Sequence, residues 1–204
     1  MAFGRSRPLS AAVATSMAIA APTAAPVAFD LRIPAVATFQ KDVCAVFCKA
    51  KDEHGALGNM ANGMPIYAFG LRWGSSEALY QALRFPHLPE FQEQIRHAPT
   101  AWAAKDLAYT RKKETRPDWE QMNLLAMAFA LTCKLQSERF QLALANAGGR
   151  QIVELSMRDR FWGAEPRGAV LIGRNVLGFL LTQLAAGARV FEADLPVGFF
   201  RLAA

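Results

Sequence analysis

Apolar residues at helical spacing predict that most of the chain is helical. The clearest pattern lies in residues 117–133, where one apolar stripe recurs every three to four residues. Pro117 suits the first position of this helix, and Asp118 and Glu120 suit its first turn. Further helices are predicted, in chain order, over residues 75–85, 90–98, 100–109, 137–147 and 175–186.

Short stretches rich in valine and phenylalanine predict a smaller β component. Residues 35–39 and 43–47 have this composition, and residues 65–69 alternate weakly between apolar and polar positions. Together these three strands can form a small sheet, and residues 151–156 suit a strand or an extended connection. The stretch between Gly163 and Gly173, rich in glycine and charge, is expected to be a loop. The fold class is therefore predicted to be mainly α with a small β component, an α+β fold.

The first thirty residues differ in composition from the rest. A basic start is followed by an alanine-rich stretch that prolines interrupt, which has the outline of a secretory signal but is too broken for a membrane span. We expect residues 1–30 to be a disordered leader, with an export signal as the alternative. A chain of 204 residues suits one ordinary core, so residues 31–187 are expected to form a single domain and residues 188–204 a C-terminal tail.

Charge and cysteine usage narrow the classes of partner. The net charge of +6 favours anionic partners, among them phosphorylated metabolites, dinucleotides and nucleic acid. The three cysteines form no C-x-x-C pair, and the three histidines have no second ligand at helical spacing, so no disulfide framework, metal site or other cofactor is expected. Reduced thiols fit a cytoplasmic protein.

Two segments carry side chains that can bind or transform a ligand. In the first, Glu77, Gln81 and Arg84 fall at i, i+4 and i+7 and line one side of a predicted helix. In the second, Asp159 is followed by the aromatic pair 161–162 and by a glycine. The alternatives are a solvated polar face for the first segment and a core anchor at Trp162 for the second.

The start of the last predicted helix is a candidate phosphate site. A helix that begins near Asn175 would offer free backbone N–H groups and a positive dipole end, and Arg174 would add a cation. The alternative is that Asn175 merely caps the helix.

A series of short motifs in residues 54–186 resembles the NADAR (NAD and ADP-ribose associated) family of N-glycosidases. In chain order the motifs are Gly58-Asn59-Met60, Trp73-x-Ser75-Ser76-Glu77, Tyr80-Gln81, Arg84-Phe85, Asp118-Trp119, Lys134, Val153-Glu154, Asp159-x-Phe161-Trp162-Gly163 and Gly173-x-Asn175-x-x-Gly178. Each motif is short, but their collinear order at compatible spacings is specific.

The resemblance implies an α-rich fold that removes a base or an amine from a ribose. Riboflavin-pathway N-glycosidases and hydrolases of ADP-ribosylated guanine both occur in the family. The positions that match its active-site motifs are Glu77, Trp119, Asp159, Trp162 and Asn175, and we expect Asn59, Arg84, Gly163 and Arg174 to contribute to substrate binding.

Cleavage of a ribosyl C–N bond requires a carboxylate near the sugar and a proton donor near the base. We place Glu77 near the sugar and give the proton-donor role to Asp159, which burial would keep protonated. Trp119 and Trp162 would stack on the base or face the cationic sugar. In the alternative route a lysine captures the opened ribosylamine as a Schiff base, and Lys134 and Lys105 are the candidates.

The predicted function is hydrolysis of the N-glycosidic bond in a phosphorylated ribosyl small molecule, such as a phosphoribosylamino-pyrimidine of the riboflavin pathway. One alternative is an ADP-ribosyl hydrolase that acts on ADP-ribosylated guanine in nucleic acid. Another is a non-catalytic module for ADP-ribose or a related nucleotide, which is favoured by Gly58 and Ala78, where family members often have serine and histidine. No membrane partner is expected, and the oligomeric state stays open.

Overall fold

The computed structural model describes residues 27–201, so residues 1–26 of the predicted leader and residues 202–204 of the predicted tail lie outside it. Six α-helices and seven short strands lie in this part of the chain, which confirms the α+β class. The helices are α1 (Ser76–Ala82), α2 (Pro89–Arg96), α3 (Ala101–Thr110), α4 (Trp119–Lys134), α5 (Glu138–Asn146) and α6 (Val176–Ala185). The strands are β1 (Ala37–Gln40), β2 (Ala45–Phe47), β3 (Ile66–Ala68), β4 (Leu71–Trp73), β5 (Ile152–Glu154), β6 (Ala164–Arg167) and β7 (Val170–Gly173).

Helix α4 forms the centre of the hydrophobic core. Its continuous buried run from Ala126 to Leu131 packs against α1, α6 and β3. Helix α1 lies between α2, α3 and α4, so all seven of its residues are buried, including the polar ones. The five predicted helices around α4 are also present, although several begin or end a few residues from the predicted limits. Helix α1 ends at Ala82, before the predicted limit at Phe85, because a turn precedes Pro86.

The strands predicted to form one sheet lie in three separate sheets, so that prediction was wrong. Strand β1 pairs antiparallel with β7, β2 pairs parallel with β5, and β3 pairs antiparallel with β4. Two of the three thus pair with strands more than a hundred residues away, which local composition does not reveal. The loop predicted between Gly163 and Gly173 was also wrong, because β6 and β7 form an antiparallel hairpin there. Gly168, in its turn, has φ +61°, which favours glycine.

Both described ends of the chain pack on the domain. Val27 forms an isolated parallel bridge with Ala188, and the Gln183 side chain bonds the backbone of Asp30 at 2.6 Å and 3.0 Å. At the other end the ring of Phe200 stacks on Phe69 with centroids 4.3 Å apart. The segment from 188 to 201 therefore covers part of the core. None of the helices between residues 27 and 201 is both long and apolar enough to cross a membrane.

Candidate active site

A cavity of about 620 Å³ opens between helices α1, α3 and α4 on one side and the segment after β5 on the other. It combines carboxyl groups, basic side chains and aromatic rings. Of the residues predicted from the sequence, those that line it are Asn59, Glu77, Arg84, Lys105, Trp119, Asp159 and Trp162. Gly163, Arg174, Asn175 and Lys134 are not part of its lining.

Helix α1, the turn after it and Asn59 together present a chain of hydrogen-bonded polar side chains to the cavity. The helix begins where the Ser75 hydroxyl accepts the Ala78 N–H at 3.1 Å, which sets Glu77 in the first turn. Glu77 Oε2 accepts from Asn59 Nδ2 at 2.5 Å, and Glu77 Oε1 accepts from Gln81 Nε2 at 2.7 Å. We call Asn59, Glu77, Gln81 and Arg84 the α1 wall.

The hydrogen bonds of the α1 wall favour the ionised form of Glu77. Arg84 Nη1 donates to Gln81 Oε1 at 3.0 Å. Because a guanidinium can only donate, the Gln81 amide must direct its NH₂ group toward Glu77. Burial raises the pKa of Glu77 above its ordinary value, whereas the hydrogen bonds from Gln81 and Asn59 and the charges of Lys105 and Arg84 lower it. Because an amide N–H faces each of its oxygens, we assign Glu77 as a carboxylate.

Arg84 is a buried cation without an acidic partner among the described residues. Its side chain is 7% exposed, and its Nε atom is buried without a hydrogen-bond partner. The guanidinium lies 5.4 Å from the ring centroid of Tyr109 and 5.2 Å from that of Trp119. An uncompensated buried charge is costly. The geometry therefore suits an anion bound by Arg84 within the cavity.

Aromatic rings form the middle of the cavity. Tyr80 lies between the two predicted tryptophans, with ring centroids 5.2 Å from Trp119 and 5.8 Å from Trp162. Both tryptophans are half-buried, and both line the cavity. Burial raises the pKa of the Tyr80 hydroxyl, so this side chain stays neutral. These rings offer flat apolar surface on which a base can stack.

Asp159 has a different setting from the one predicted. Its Oδ1 atom accepts the backbone N–H groups of Phe161 and Trp162, both at 2.9 Å. The residue is exposed. The proton-donor role assumed a buried carboxyl group, and the structure does not provide one at this position. Asp159 instead fixes the turn that carries Trp162 while it adds negative charge to the cavity.

Glu154 is the cavity residue whose role the sequence analysis missed. It is the last residue of β5, it is half-buried, and it lines the cavity. Burial raises its pKa to about 7, and the negative charges of Asp159 and Glu77 contribute to this rise. Glu154 lay within one of the family motifs, but its neighbours in sequence are apolar. Only the fold brings it beside other acidic groups.

Asn175 and Gly163 surround Glu154 from outside the cavity lining. Asn175 Oδ1 accepts the backbone N–H of Glu154 at 3.0 Å, and Asn175 Nδ2 donates to Ile152 O at 2.8 Å. A Cβ atom at position 163 would lie 2.7 Å from Glu154 O and 2.9 Å from Ser156 Cβ, so the contact requires glycine. The structure thus gives these two predicted binding residues contacts with the strand rather than with a ligand.

The phosphate site predicted at the start of α6 is wrong. The N–H groups of Asn175, Val176 and Leu177 already donate to backbone carbonyls, those of residues 163, 161 and 162 respectively. Free N–H groups are what make a helix start an anion site. Arg174 lies nearby, but its Nη1 atom donates to the carbonyl of Pro34 at 2.8 Å.

The two candidate lysines have different environments. Lys134 is 1% exposed, and its Nζ atom donates to the carbonyls of Ala56 at 3.0 Å and Gly58 at 2.7 Å. Burial lowers its pKa to about 7, in the direction predicted, yet the amine supports the loop before Asn59 and does not line the cavity. Lys105 does line the cavity.

Lys105 belongs to a row of alternating aromatic and basic side chains, in which Lys105 is half-buried and the other three are exposed. Its Nζ atom lies 5.6 Å from the ring of Trp102 and 5.8 Å from that of Tyr109, and Lys112 Nζ lies 5.6 Å from the same tyrosine. All four residues line the cavity mouth. We call Trp102, Lys105, Tyr109 and Lys112 the α3 face. Across residues 27–201, no group of three or more histidine, cysteine, aspartate and glutamate side chains is placed to hold a metal ion.

The chain that forms this cavity is similar to proteins of a known family. The NADAR domain matches residues 46–187, a range that contains every residue of the α1 wall and Glu154. A search of curated proteins gave no match. Among solved structures, the chain is similar to the NMR structure of the E. coli protein YbiA, with 26% sequence identity and a TM-score of 0.60. The alignment covers 78% of this chain and 92% of that chain. The chain therefore belongs to the NADAR family.

Proposed function

We propose that this protein is a hydrolase that cleaves the N-glycosidic bond between a base or an amine and a phosphorylated ribose. The observation that carries the proposal is the hydrogen-bonded chain from Glu77 through Gln81 to Arg84. It joins a buried carboxylate on α1 to a guanidinium that lies in the turn after α1 and has no acidic partner among the described residues. This pair matches the two ends of a ribose phosphate, which are the carbon that becomes cationic and the phosphate.

Glu77 stabilises the positive charge that develops on the sugar as the C–N bond breaks. The amides of Asn59 and Gln81 hold its two oxygens, so the carboxylate need not reorganise when that charge appears. Arg84 binds the phosphate and orients the ribose against Glu77. The base then lies among the rings of Trp119 and Trp162, which line the same cavity.

Of the two lysines that are candidates for the Schiff-base route, only Lys105 lines the cavity, whereas Lys134 is engaged with two carbonyls. We favour direct hydrolysis. Treatment with borohydride during turnover should leave no covalent adduct on the protein. A sugar-sized mass increase on the peptide that contains Lys105, absent from the Lys105→Arg variant, would instead support the Schiff-base route.

A second candidate function is hydrolysis of ADP-ribosylated guanine in nucleic acid. The α3 face favours it, because Trp102 is 57% exposed and Tyr109 is 47% exposed beside two lysines at the cavity mouth. Exposed aromatic rings that alternate with cations suit a nucleotide with several phosphates. A phosphoribosylamino-pyrimidine remains the preferred substrate, because the buried cation Arg84 suits one phosphate and the rings of Trp119 and Trp162 suit one base. We also propose a cytoplasmic location, which the three free cysteines support.

A substrate panel tests the proposal. It contains phosphoribosylamino-pyrimidine intermediates of riboflavin synthesis, ADP-ribosylated guanosine and NAD. Mass spectrometry should find at least one compound cleaved between the sugar carbon and nitrogen. Cleavage of ADP-ribosylated guanosine alone would select the second candidate. Tight binding without cleavage would contradict both and favour a binding module.

A further inference from the structure

Glu154 differs from the other two carboxyl groups of the cavity in the freedom of its side chain. Glu77 accepts a hydrogen bond on each oxygen, and Asp159 accepts two backbone N–H groups on Oδ1. Among the described residues, the Glu154 carboxyl group has no hydrogen-bond or ion-pair partner, although it lines the same cavity. A carboxyl group with free oxygens in a cavity can give up or accept a proton without first losing a protein contact.

The backbone of Glu154, in contrast, is held from three directions. Strand β5 pairs in parallel with β2, with Glu154 opposite Phe47. Asn175 accepts the N–H of Glu154. On the third side lies Gly163, where an added Cβ would be 3.3 Å from Glu154 Oε2 as well as 2.7 Å from its carbonyl oxygen. The missing side chain at 163 therefore leaves room for the carboxyl group.

We propose that Glu154 is the general acid that protonates the departing nitrogen, and that Asn175 and Gly163 are positioning residues that hold it at the cavity. This inference rests on the proposed N-glycosidase function. It also explains why Asn175 and Gly163 belong to the family motifs although neither lines the cavity, because both contact the end of β5 that carries Glu154.

The C–N bond breaks with its electron pair going to nitrogen, and the proton of the Glu154 carboxylic acid passes to that nitrogen. Water then forms a bond to the sugar carbon, whose positive charge Glu77 has stabilised. The proton released by the water returns to the ionised Glu154. The products are the free base or amine and the ribose phosphate with a hydroxyl group at that carbon, and the protein is unchanged.

The electrostatic surroundings of Glu154 suit a proton donor near neutral pH. The charged groups that face it are Asp159 from the following turn, Glu77 from α1 and Lys105 from α3. Burial raises the pKa of Glu154 to about 7, the two acidic groups add to the rise, and Lys105 opposes it. Two carboxyl groups whose surroundings separate their protonation states can divide the acid and charge-stabilising roles between them.

The test is the pH profile of Glu154→Gln on a compound that the wild-type protein cleaves. We expect wild-type kcat to fall as pH rises through about 7, because the acid form is lost. Glu154→Gln should lower kcat at pH 6 by about a hundredfold or more and should remove this fall. The matched control is Glu165→Gln, on β6, whose carboxylate pairs with Arg167 outside the cavity lining and should leave kcat and its pH profile unchanged.

A second variant separates loss of the acid from loss of the fold. Glu154→Asp keeps an acid but withdraws it from the cavity, so kcat should fall while the decline with rising pH persists. Wild-type-like kcat and pH profile in Glu154→Gln would overturn the inference but leave the N-glycosidase function intact. If the wild-type protein cleaves no compound of the panel, the proposed function fails, and the inference fails with it. If Glu154→Gln does not fold, a Glu154→Asp profile without the decline near pH 7 would overturn the inference.

Discussion

The two walls of the cavity hold a carboxyl group in opposite ways. On the α1 wall, side chains hold side chains, and Glu77 is fixed between Asn59 and Gln81. On the other wall, at the end of β5, the backbone is held by Asn175 and by the contact with Gly163, while the carboxyl group of Glu154 is left free. The carboxyl group of Glu77 is thus held by donors on both oxygens, whereas Glu154 is held only through its backbone.

This difference shows how a fold can assign separate roles to two identical functional groups. Amide donors on both oxygens stabilise an anion, so Glu77 suits the stabilisation of a cationic sugar. Burial without donors stabilises the neutral acid, so Glu154 suits proton transfer. The roles follow from the neighbours and not from the residue type.

The largest expected effect on turnover comes from removal of the negative charge of Glu77. Glu77→Gln should lower turnover by at least about a hundredfold while the protein still folds. Gln81 cannot turn its amide, because Arg84 can only donate, but Asn59 can turn and present its oxygen to the new amide. Turnover and melting temperature should be measured together, with Glu90→Gln in the first turn of α2 as an exposed control. Near-normal turnover would remove Glu77 from the mechanism.

A smaller effect is expected on the second wall of the cavity, by which we mean Glu154 at the end of β5 with Asn175 and Gly163. There Gly163 lies in close contact with the backbone of Glu154. Gly163→Ala should lower the free energy of unfolding by about 1–3 kcal/mol, as overpacking typically does, and should lower turnover because the strand end that carries Glu154 must shift. The control is Gly74→Ala, whose added Cβ meets only Ala98 O at 3.9 Å. Chemical denaturation and turnover assays provide the two measurements. Equal stability of the two variants would show that the wall tolerates a side chain.

Three of the four residues of the α1 wall, all except Asn59, could be predicted to lie together because they are close along the chain. Spacing alone predicts that Glu77, Gln81 and Arg84 line one side, and the serine before them marks the start of the helix, although Arg84 lies in the turn after α1. The sequence did not show that this face is buried, because burial depends on α2, α3 and α4. The capping serine and the acidic residue in the first turn are local features of the sequence, whereas the cavity is formed by segments that are distant along the chain.

The second wall could not be predicted in the same way, because it is built from distant pairings. Strand β5 pairs with β2, which lies more than a hundred residues earlier in the chain. The N–H groups at the start of α6 donate to carbonyls that helical periodicity does not reveal. Family motifs included both Glu154 and Asn175, but the motifs alone did not show that one holds the other. For this reason the sequence predicted Asp159 as the proton donor, whereas we propose Glu154 on the basis of the structure.

Glu154 and Lys134 predict opposite dependences of the free energy of unfolding on pH. Glu154 has a folded pKa of about 7, above its ordinary 4.5, so its contribution to stability is present below about pH 4.5 and is lost as pH rises toward 7. Lys134, which supports the loop before Asn59, has a folded pKa of about 7, below its ordinary 10.5. The unfolded chain binds the extra proton above pH 7, so stability rises with pH there.

Denaturation at several pH values measures both slopes, each at most about 1.4 kcal/mol per pH unit for one proton. Glu154→Gln should remove part of the decline between pH 5 and 7, and Lys134→Met should remove the rise between pH 7 and 9. Measurements stop at pH 9 because of Cys133. Burial raises the pKa of its thiol from 9.0 to about 12, so its contribution to stability decreases above pH 9. Identical slopes in wild type and variants would contradict these assignments.

The smallest expected effect lies at the cavity mouth, outside both walls. Trp102→Ala removes one exposed ring of the α3 face, so it should weaken binding of a ligand that reaches beyond the cavity interior. Binding of ribose 5-phosphate, which we expect Arg84 to hold inside the cavity, should be unaffected. The dissociation constant of ADP-ribose should rise by roughly two- to fivefold, as for a contact of about 0.5–1 kcal/mol at an exposed site. Tyr67→Ala is the control, because that tyrosine is also exposed but lies outside this cavity lining. Calorimetric titration of both ligands decides the outcome. An equal loss for both ligands would mean that Trp102 shapes the interior, and no loss for either would confine recognition to the two walls.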